Sequence, residues 1–517
     1  MTFNLNSAFY FSQILTRVKK TRNMPVSLDS EPRRDGQQSR LHECTPPPRG
    51  VRAGSLFWRC PCFGIFKLAA SLHALPPKSH RHALVGNMAW MYVVQASSFA
   101  LPLLTTPYLA RVLGAIHYGQ YIYAYTMGQL ISLLVEYGFE FTGTRTVATA
   151  SSPRERWETL NGVTIAKLML LALSVAIGWF VIRHDPVIGQ SPLIVLGAFF
   201  IAATTGIHFN WFYQGIERVA LAGKINIVVR FVSAAGIFLF VRHEHDVFPA
   251  LCVFAVGNVL SSCAMYMLLL ALVSEHTFRP SNPFLLLKNG FNIFISTFLN
   301  QLQLRLITLF VGFFNPGPLV GYFGGAYRLA VVITQATHPI TLVVYPRIAS
   351  MVAEKHSQTK RLWTLVFAGQ TLILTLVSIT FIFFSRQIIL LMLGEDFMPA
   401  VPIFCWYVIA VQLIMTNRLL LNLWAVPNGH DHLARNLYLC SSALNITIGG
   451  IFSYYIAGTA VVMAVCMGEL ILLCSILWSF HQLTIWPFTS LNASYLRSRR
   501  NLSSYAIQRA NDDQGEG

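Results

Sequence analysis

From Leu84 to about residue 485 the sequence alternates apolar runs of about 20 residues with short polar breaks. A run of that length is what one helix needs to cross a hydrocarbon layer. In lipid a backbone cannot leave its N–H and C=O groups unpaired, so such runs cross as helices. Twelve can be counted: 85–109, 119–143, 160–182, 193–213, 221–241, 248–272, 289–313, 319–345, 362–384, 401–424, 435–457 and 459–481. In 385–400, Arg386 and Gly394-Glu395-Asp396 separate two apolar pieces, and a short re-entrant or interfacial helix is expected at Ile388 to Leu393. The expected fold class is an all-α polytopic membrane protein of about 12 transmembrane helices.

Charge agrees with this reading. Only 11% of the 517 residues are charged, against about 25% in a soluble domain. The formal net charge of +17 would suit a nucleic-acid partner, but its placement does not. Residues 1–83 hold 13 Lys/Arg against 4 Asp/Glu, and much of the remaining basic charge lies in loops of one parity. Even-numbered loops carry 12 basic residues, among them Arg145, Arg218, Arg279, Arg347 and Arg435. Odd-numbered loops carry Arg111, Arg183, Arg242 and Arg386. Basic loops stay in the cytoplasm, so both termini are expected there, and no nucleic-acid partner is expected. Residues 1–83 are rich in Pro, Ser, Arg and His and show no helical period. They read as a disordered cytoplasmic tail or as sequence upstream of the true start.

Inside the apolar runs stand Arg230, Arg305, Arg328 and Arg418. Each charge at mid-bilayer costs roughly 2.5–3.5 kcal/mol on insertion scales, so the four are expected to line a shared wet cavity. Acids at similar depth are few: Glu469, and nearer a helix end Glu136 and Glu140. The interior is therefore expected to be electropositive and suited to an anionic passenger. Arg305 leads, because Asn292, Ser296, Asn300 and Gln303 share one face of its run, with Arg305 at the edge. Arg328 follows Tyr327, Arg418 follows Thr416-Asn417, and Arg230 lies beyond Asn226 on the same face. For each arginine the structural alternative stays open, a polar contact between helices or a side chain snorkelling to the interface. Lys167 is expected to snorkel. Glu469 would take up a coupling proton or sodium ion, or pair with an arginine. Glu136 and Glu140, four residues apart, are expected on one helical face where a cation could bind. Pro102, Pro107, Pro339 and Pro346 read as hinges or static kinks. Arg111, Arg145, Arg218 and Arg347 sit at helix ends, where sidedness alone explains them.

The halves look related. Gly119 and Ala124-Tyr125 recur as Gly321 and Ala326-Tyr327, 202 residues on, and Arg145 and Arg347 keep the same offset. Two six-helix bundles, 84–275 and 276–485, are expected as a parallel repeat, with a tail at 486–517.

Three stretches carry a family resemblance: Leu101-Pro102-Leu103-Leu104-Thr105-Thr106-Pro107-Tyr108-Leu109-Ala110-Arg111-Val112-Leu113-Gly114 with Tyr118-Gly119; Glu136-Tyr137-Gly138-Phe139 leading to Thr144-Arg145; and Asn210-Trp211-Phe212-Tyr213-Gln214-Gly215-Ile216-Glu217-Arg218. Over about residues 80–485 the chain resembles the polysaccharide transporter family, the O-antigen flippases, of the MOP superfamily that also holds the MATE exporters and the lipid II flippase. The resemblance implies a MATE-like fold of two six-helix bundles. It also implies export of a lipid-linked oligosaccharide on undecaprenyl pyrophosphate across the bacterial inner membrane. Membrane lipids, a polysaccharide polymerase and a chain-length regulator are the partners it suggests. Arginine suits a pyrophosphate, since it stays protonated and presents a planar fork of donors.

Two other readings stay open at this stage. A MATE-like exporter of cationic small molecules would want an acidic, aromatic pocket, which the buried arginines oppose. A membrane enzyme would need catalytic residues, and no phosphate loop, metal-ligand pair or nucleophile–base pattern is visible, so neither activity nor cofactor is expected. The nine cysteines show no zinc spacing, and Cys60-Pro61-Cys62 lacks a partner pair. His243-Glu244-His245-Asp246 reads as a polar turn.

Overall fold

Helix starts are written locally by proline and its preceding cap. The Asn282 side chain accepts hydrogen bonds from the Phe284 and Leu285 N–H groups, with Pro283 at the first helical position. Ser152 accepts from the Glu155 N–H just ahead of a helix that begins at Pro153, and Pro192 and Pro318 open two others. The computed structural model describes residues 80–483 except 183, 190, 274–276, 278, 355–357 and 457. The readings made for the basic extension up to residue 79 and for the 486–517 tail lie outside the described residues. So do the side chains of Asn292, Ser296, Asn300, Gln303, Pro339 and Pro346.

All regular structure among the described residues is helical: α1 His80–Glu136, α2 Phe139–Thr149, α3 Pro153–Ile182, α4 Pro192–Gly206, α5 Asn210–Gly215, α6 Val219–Phe240, α7 Val247–Leu272, α8 Pro283–Phe314, α9 Pro318–Ala353, α10 Thr359–Phe383, α11 Ser385–Met392, α12 Ala400–Leu420, α13 Asp431–Tyr455 and α14 Thr459–Gln482. A 3₁₀ turn lies at Glu395–Phe397 and a π turn at Leu421–Ala425. Among the described residues, eight helical stretches are long and apolar enough to cross a membrane by themselves. Their outward faces carry Phe180, Phe240, Phe383 and Trp478 exposed to the surroundings, as lipid-facing helices do. The chain is an all-α, multi-pass membrane protein.

Four departures from the sequence reading have physical causes. First, no polar loop separates the first two apolar runs: α1 runs from the first into the second and is broken only at Gly114, whose φ of 66° suits a residue without Cβ. Second, the run 119–143 is not one helix, because Tyr137 (φ 45°) and Gly138 (φ 71°) turn the chain between α1 and α2. Glu136 and Glu140 therefore do not share the face of a continuous helix. Third, 193–213 is interrupted at 207–209, between α4 and α5. Fourth, Arg111 does more than mark a side. Its Nη2 donates to the carbonyls of Leu390 and Leu391, at the C-terminal end of α11 where a cation is favoured. Helix α11 itself lies where the short helix was expected. The His243–Asp246 run is a turn in which Asp246 accepts from the Arg242 and His243 N–H groups at 2.9 and 2.8 Å.

Helix α12 packs between α9 and α14, α13 packs on the other side of α14, α8 packs on α13, α4 and α6 flank α7, and α2 lies on α5. The two glycines related by the offset of 202 touch: a Cβ on Gly321 would stand 2.1 Å from the Ala115 carbonyl oxygen, and one on Gly119 would stand 2.9 Å from the Gly321 nitrogen. Small residues let α1 and α9 cross at backbone distance there.

Candidate functional site

Tyr125 and Tyr327, the tyrosines of the repeated Ala-Tyr pairs, each have several of the four arginines within electrostatic reach, Arg305 being common to both. The Tyr125 hydroxyl lies within electrostatic reach of Arg328, Arg305 and Arg230. The Tyr327 hydroxyl lies within reach of Arg305 and Arg418. Helices α1, α6, α8, α9 and α12 thus direct cationic or phenolic groups at one region.

Each arginine is held differently. Arg305 Nη1 donates to the Gln301 carbonyl at 3.1 Å and to Gln301 Oε1 at 2.9 Å, and its Nη2 donates to Gln129 Oε1 at 3.4 Å. Neutral amide oxygens orient a guanidinium without cancelling its charge. Arg328 stands over the rings of Tyr121 and Tyr125, 5.5 and 5.4 Å from their centroids, in a cation–π contact that joins α9 to α1. Arg418 occupies the last turn of α12, directly before the π turn, a local distortion frequent at functional sites. It lies near Tyr438, whose hydroxyl donates to Asn422 Oδ1 at 3.3 Å. Arg230 lies one turn beyond Asn226, which bridges Asn210 at 3.1 Å and Ser261 at 2.7 Å. Arg305, Arg328 and Arg418 take part in none of the ion pairs formed among the described residues.

The acids separate into two places. Glu469, 6% exposed, lies between α12 and α13: Asn417 Nδ2 donates to its Oε2 at 2.9 Å and Asn445 Nδ2 donates to its Oε1 at 3.2 Å. Glu136 and Glu140 line a narrow cleft with room for about one water, about 10 Å³, at the α1–α2 break, with Leu133, Gly138, Phe294 and Gln301. Because Gln301 also holds Arg305, the cleft and the arginine group are contiguous.

Lys167 departs from its expected role. It does not snorkel: it is 3% exposed, and its Nζ donates to the Gly206 carbonyl at 2.9 Å and the His208 carbonyl at 3.4 Å. The break between α4 and α5 leaves those carbonyls without helical partners, and the ammonium supplies the missing donors. Lys167→Met is expected to destabilise the protein by about 1–3 kcal/mol, the cost of stranding buried acceptors. Thermal unfolding in detergent measures it, and an unchanged transition would contradict this assignment.

Sequence reasoning also missed Gln129, which reads as an ordinary polar residue. Its position one turn after Tyr125 was the available signal: it donates to the Tyr125 hydroxyl at 3.5 Å while receiving Arg305.

The comparisons agree with this architecture. The sequence pattern of the polysaccharide biosynthesis protein family matches residues 84–352. A protein described as an O-antigen transporter from Escherichia coli (strain K12) is 27% identical over 282 residues, 53% of this chain and 66% of that protein, just under two thirds of its length. One of the same description from Shigella dysenteriae is 18% identical over 388 residues, 75% of this chain and 97% of that one. Among solved structures, the lipid II flippase MurJ in an inward closed conformation superposes with a TM-score of 0.60 at 13% identity, covering 75% of this chain and 87% of MurJ. An inward-facing multidrug resistance MATE family transporter of the MOP superfamily gives 0.56 at 14% identity, covering 76% and 98%. At these identities the likeness concerns the fold, which is MATE-like.

Proposed function

Because the chain belongs to the polysaccharide biosynthesis protein family, we propose that it is a flippase moving a lipid-linked oligosaccharide, carried on undecaprenyl pyrophosphate, across the bacterial inner membrane for O-antigen or exopolysaccharide synthesis. The observation that carries this reading is that Arg230, Arg305, Arg328 and Arg418 each lie within electrostatic reach of Tyr125 or Tyr327, with Arg305 in reach of both. A diphosphate entering a low-dielectric interior needs fixed cationic donors, and guanidinium groups meet its oxygens two at a time. The isoprenoid tail stays in lipid while the head group occupies the chamber. An exporter of cationic drugs would be repelled by the same groups.

In this proposal the chain crosses the membrane 12 times with both termini in the cytoplasm. Residues 84–275 and 276–485 rock against each other as two six-helix bundles, and a polymerase and a chain-length regulator act on the delivered unit. Glu469 and Glu136 are the proposed coupling groups. In proteoliposomes, Glu469→Gln or Glu136→Gln is expected to make flipping insensitive to an imposed proton or sodium gradient. Transport that keeps its wild-type dependence in both variants would remove them from that role.

Deleting the gene in the native host tests the function itself. Carrier-linked repeat units should accumulate on the inner leaflet while surface glycan disappears. Normal surface glycan in the deletion strain would overturn the reading.

A further inference from the structure

We propose that the hydroxyls of Tyr125 and Tyr327 are paired hydrogen-bond donors to the diphosphate, an inference that rests on the flippase reading and adds to it which uncharged groups touch the cargo. The two rings are already engaged. Tyr125 is stacked on Tyr121 with centroids 6.1 Å apart, meets the edge of Phe254 at 4.9 Å, and carries Arg328 over its face. Tyr327 leans on Tyr407 at 5.5 Å. A Tyr125 ring so engaged has little face left for stacking a sugar, which leaves its hydroxyl as the group to meet a cargo.

Those hydroxyls stand among guanidinium groups. Gln129 donates to the Tyr125 oxygen at 3.5 Å, so the lone pair is taken and the proton stays available. Among the described residues neither hydroxyl donates to a protein acceptor. A phenol O–H surrounded by cations has one favourable partner class, an anionic oxygen, because a cation would be repelled and a neutral acceptor would leave the guanidinium groups uncompensated. One tyrosine comes from α1 and the other from α9, 202 residues apart. Two donors supplied by two different helices suit two linked phosphates better than one. Arg305, within reach of both hydroxyls, lies between them electrostatically.

The experiment uses the purified full chain in lipid nanodiscs, with geranylgeranyl diphosphate as the probe and geranylgeranyl monophosphate as its comparison. Wild-type protein is expected to bind the diphosphate. Tyr125→Phe and Tyr327→Phe keep ring and packing and remove one O–H each. Each should weaken diphosphate binding by roughly tenfold, as loss of a hydrogen bond to a charged group does, and weaken monophosphate binding less. Tyr108→Phe, whose hydroxyl donates to the Val241 carbonyl at 2.7 Å in another part of the fold, should bind as wild type. If one variant is lost to misfolding, the other answers alone, since the two hydroxyls belong to different helices. Wild-type affinity in both phenylalanine variants overturns the inference and leaves the flippase reading standing. A wild-type protein that binds no diphosphate overturns both.

Discussion

Replacing Arg305 by alanine is expected to abolish surface glycan while the protein remains in the membrane at its normal level. The guanidinium is anchored by Gln301 and Gln129, amide oxygens that fix its direction and leave its charge for a ligand. Loss of one partner from a buried charged hydrogen-bond pair costs about 2–5 kcal/mol, or roughly 30- to 3,000-fold in affinity. The chain itself should tolerate the change, because Arg305 is in no ion pair formed among the described residues, and Glu136, which lies within electrostatic reach of Arg305, also has Lys167 within reach. Arg305→Lys should give an intermediate phenotype, since lysine keeps the charge but not the planar fork. Surface-glycan blots alongside immunoblots of the membrane fraction decide the matter. Normal glycan at normal protein level would remove Arg305 from the cargo site.

The regions legible in advance were those where one physical penalty dominates. A run of apolar residues has no alternative to helix in lipid, so the positions of α3, α6, α7, α10, α13 and α14 followed from hydropathy. An arginine within an apolar run is costly wherever it stands, so Arg230, Arg305, Arg328 and Arg418 could be picked out individually. Their meeting at Tyr125 and Tyr327 was not readable. Convergence depends on the rotation of five helices, and no spacing within one helix encodes that. The offset of 202 residues paired Gly119 with Gly321 in the sequence, but only the fold shows the pair in contact.

Helix breaks were the other blind spot, and they misdirected the polar residues beside them. Hydropathy runs straight through Tyr137-Gly138 and Ile207-His208-Phe209, so a helical wheel drawn across either gives false faces. The Glu136–Glu140 pair was placed on one helix for that reason. Lys167 was sent to the interface for a related one: the carbonyls it serves exist only because α4 stops at Gly206. Glu469 likewise finds Asn417 and Asn445, amides on two other helices that nothing in its own run announces.

Gly321→Val is expected to lower thermal stability clearly and to stop export, whereas Gly369→Val should do neither. The contrast is geometric. A Cβ at Gly321 would meet the Ala115 carbonyl oxygen at 2.1 Å and its carbon at 3.1 Å, both main-chain atoms that cannot rotate aside; one at Gly369 in α10 meets nothing within 4 Å. Overpacking costs about 1–3 kcal/mol when side chains can yield, and here the yielding element must be a helix. Separating α1 from α9 would also unseat Phe397, which meets Tyr118 edge-on at 5.6 Å and Tyr322 at 5.9 Å, and would pull Arg111 from the carbonyls that end α11. In the proposed topology this crossing lies near the outer side, between the two bundles, so holding it open would hinder their rocking. In a background with the native cysteines replaced, Ala115→Cys should resist a water-soluble maleimide and become reactive when Gly321→Val is added. Equal protection in both proteins, with export intact, would show that α1 and α9 do not close on each other at this point.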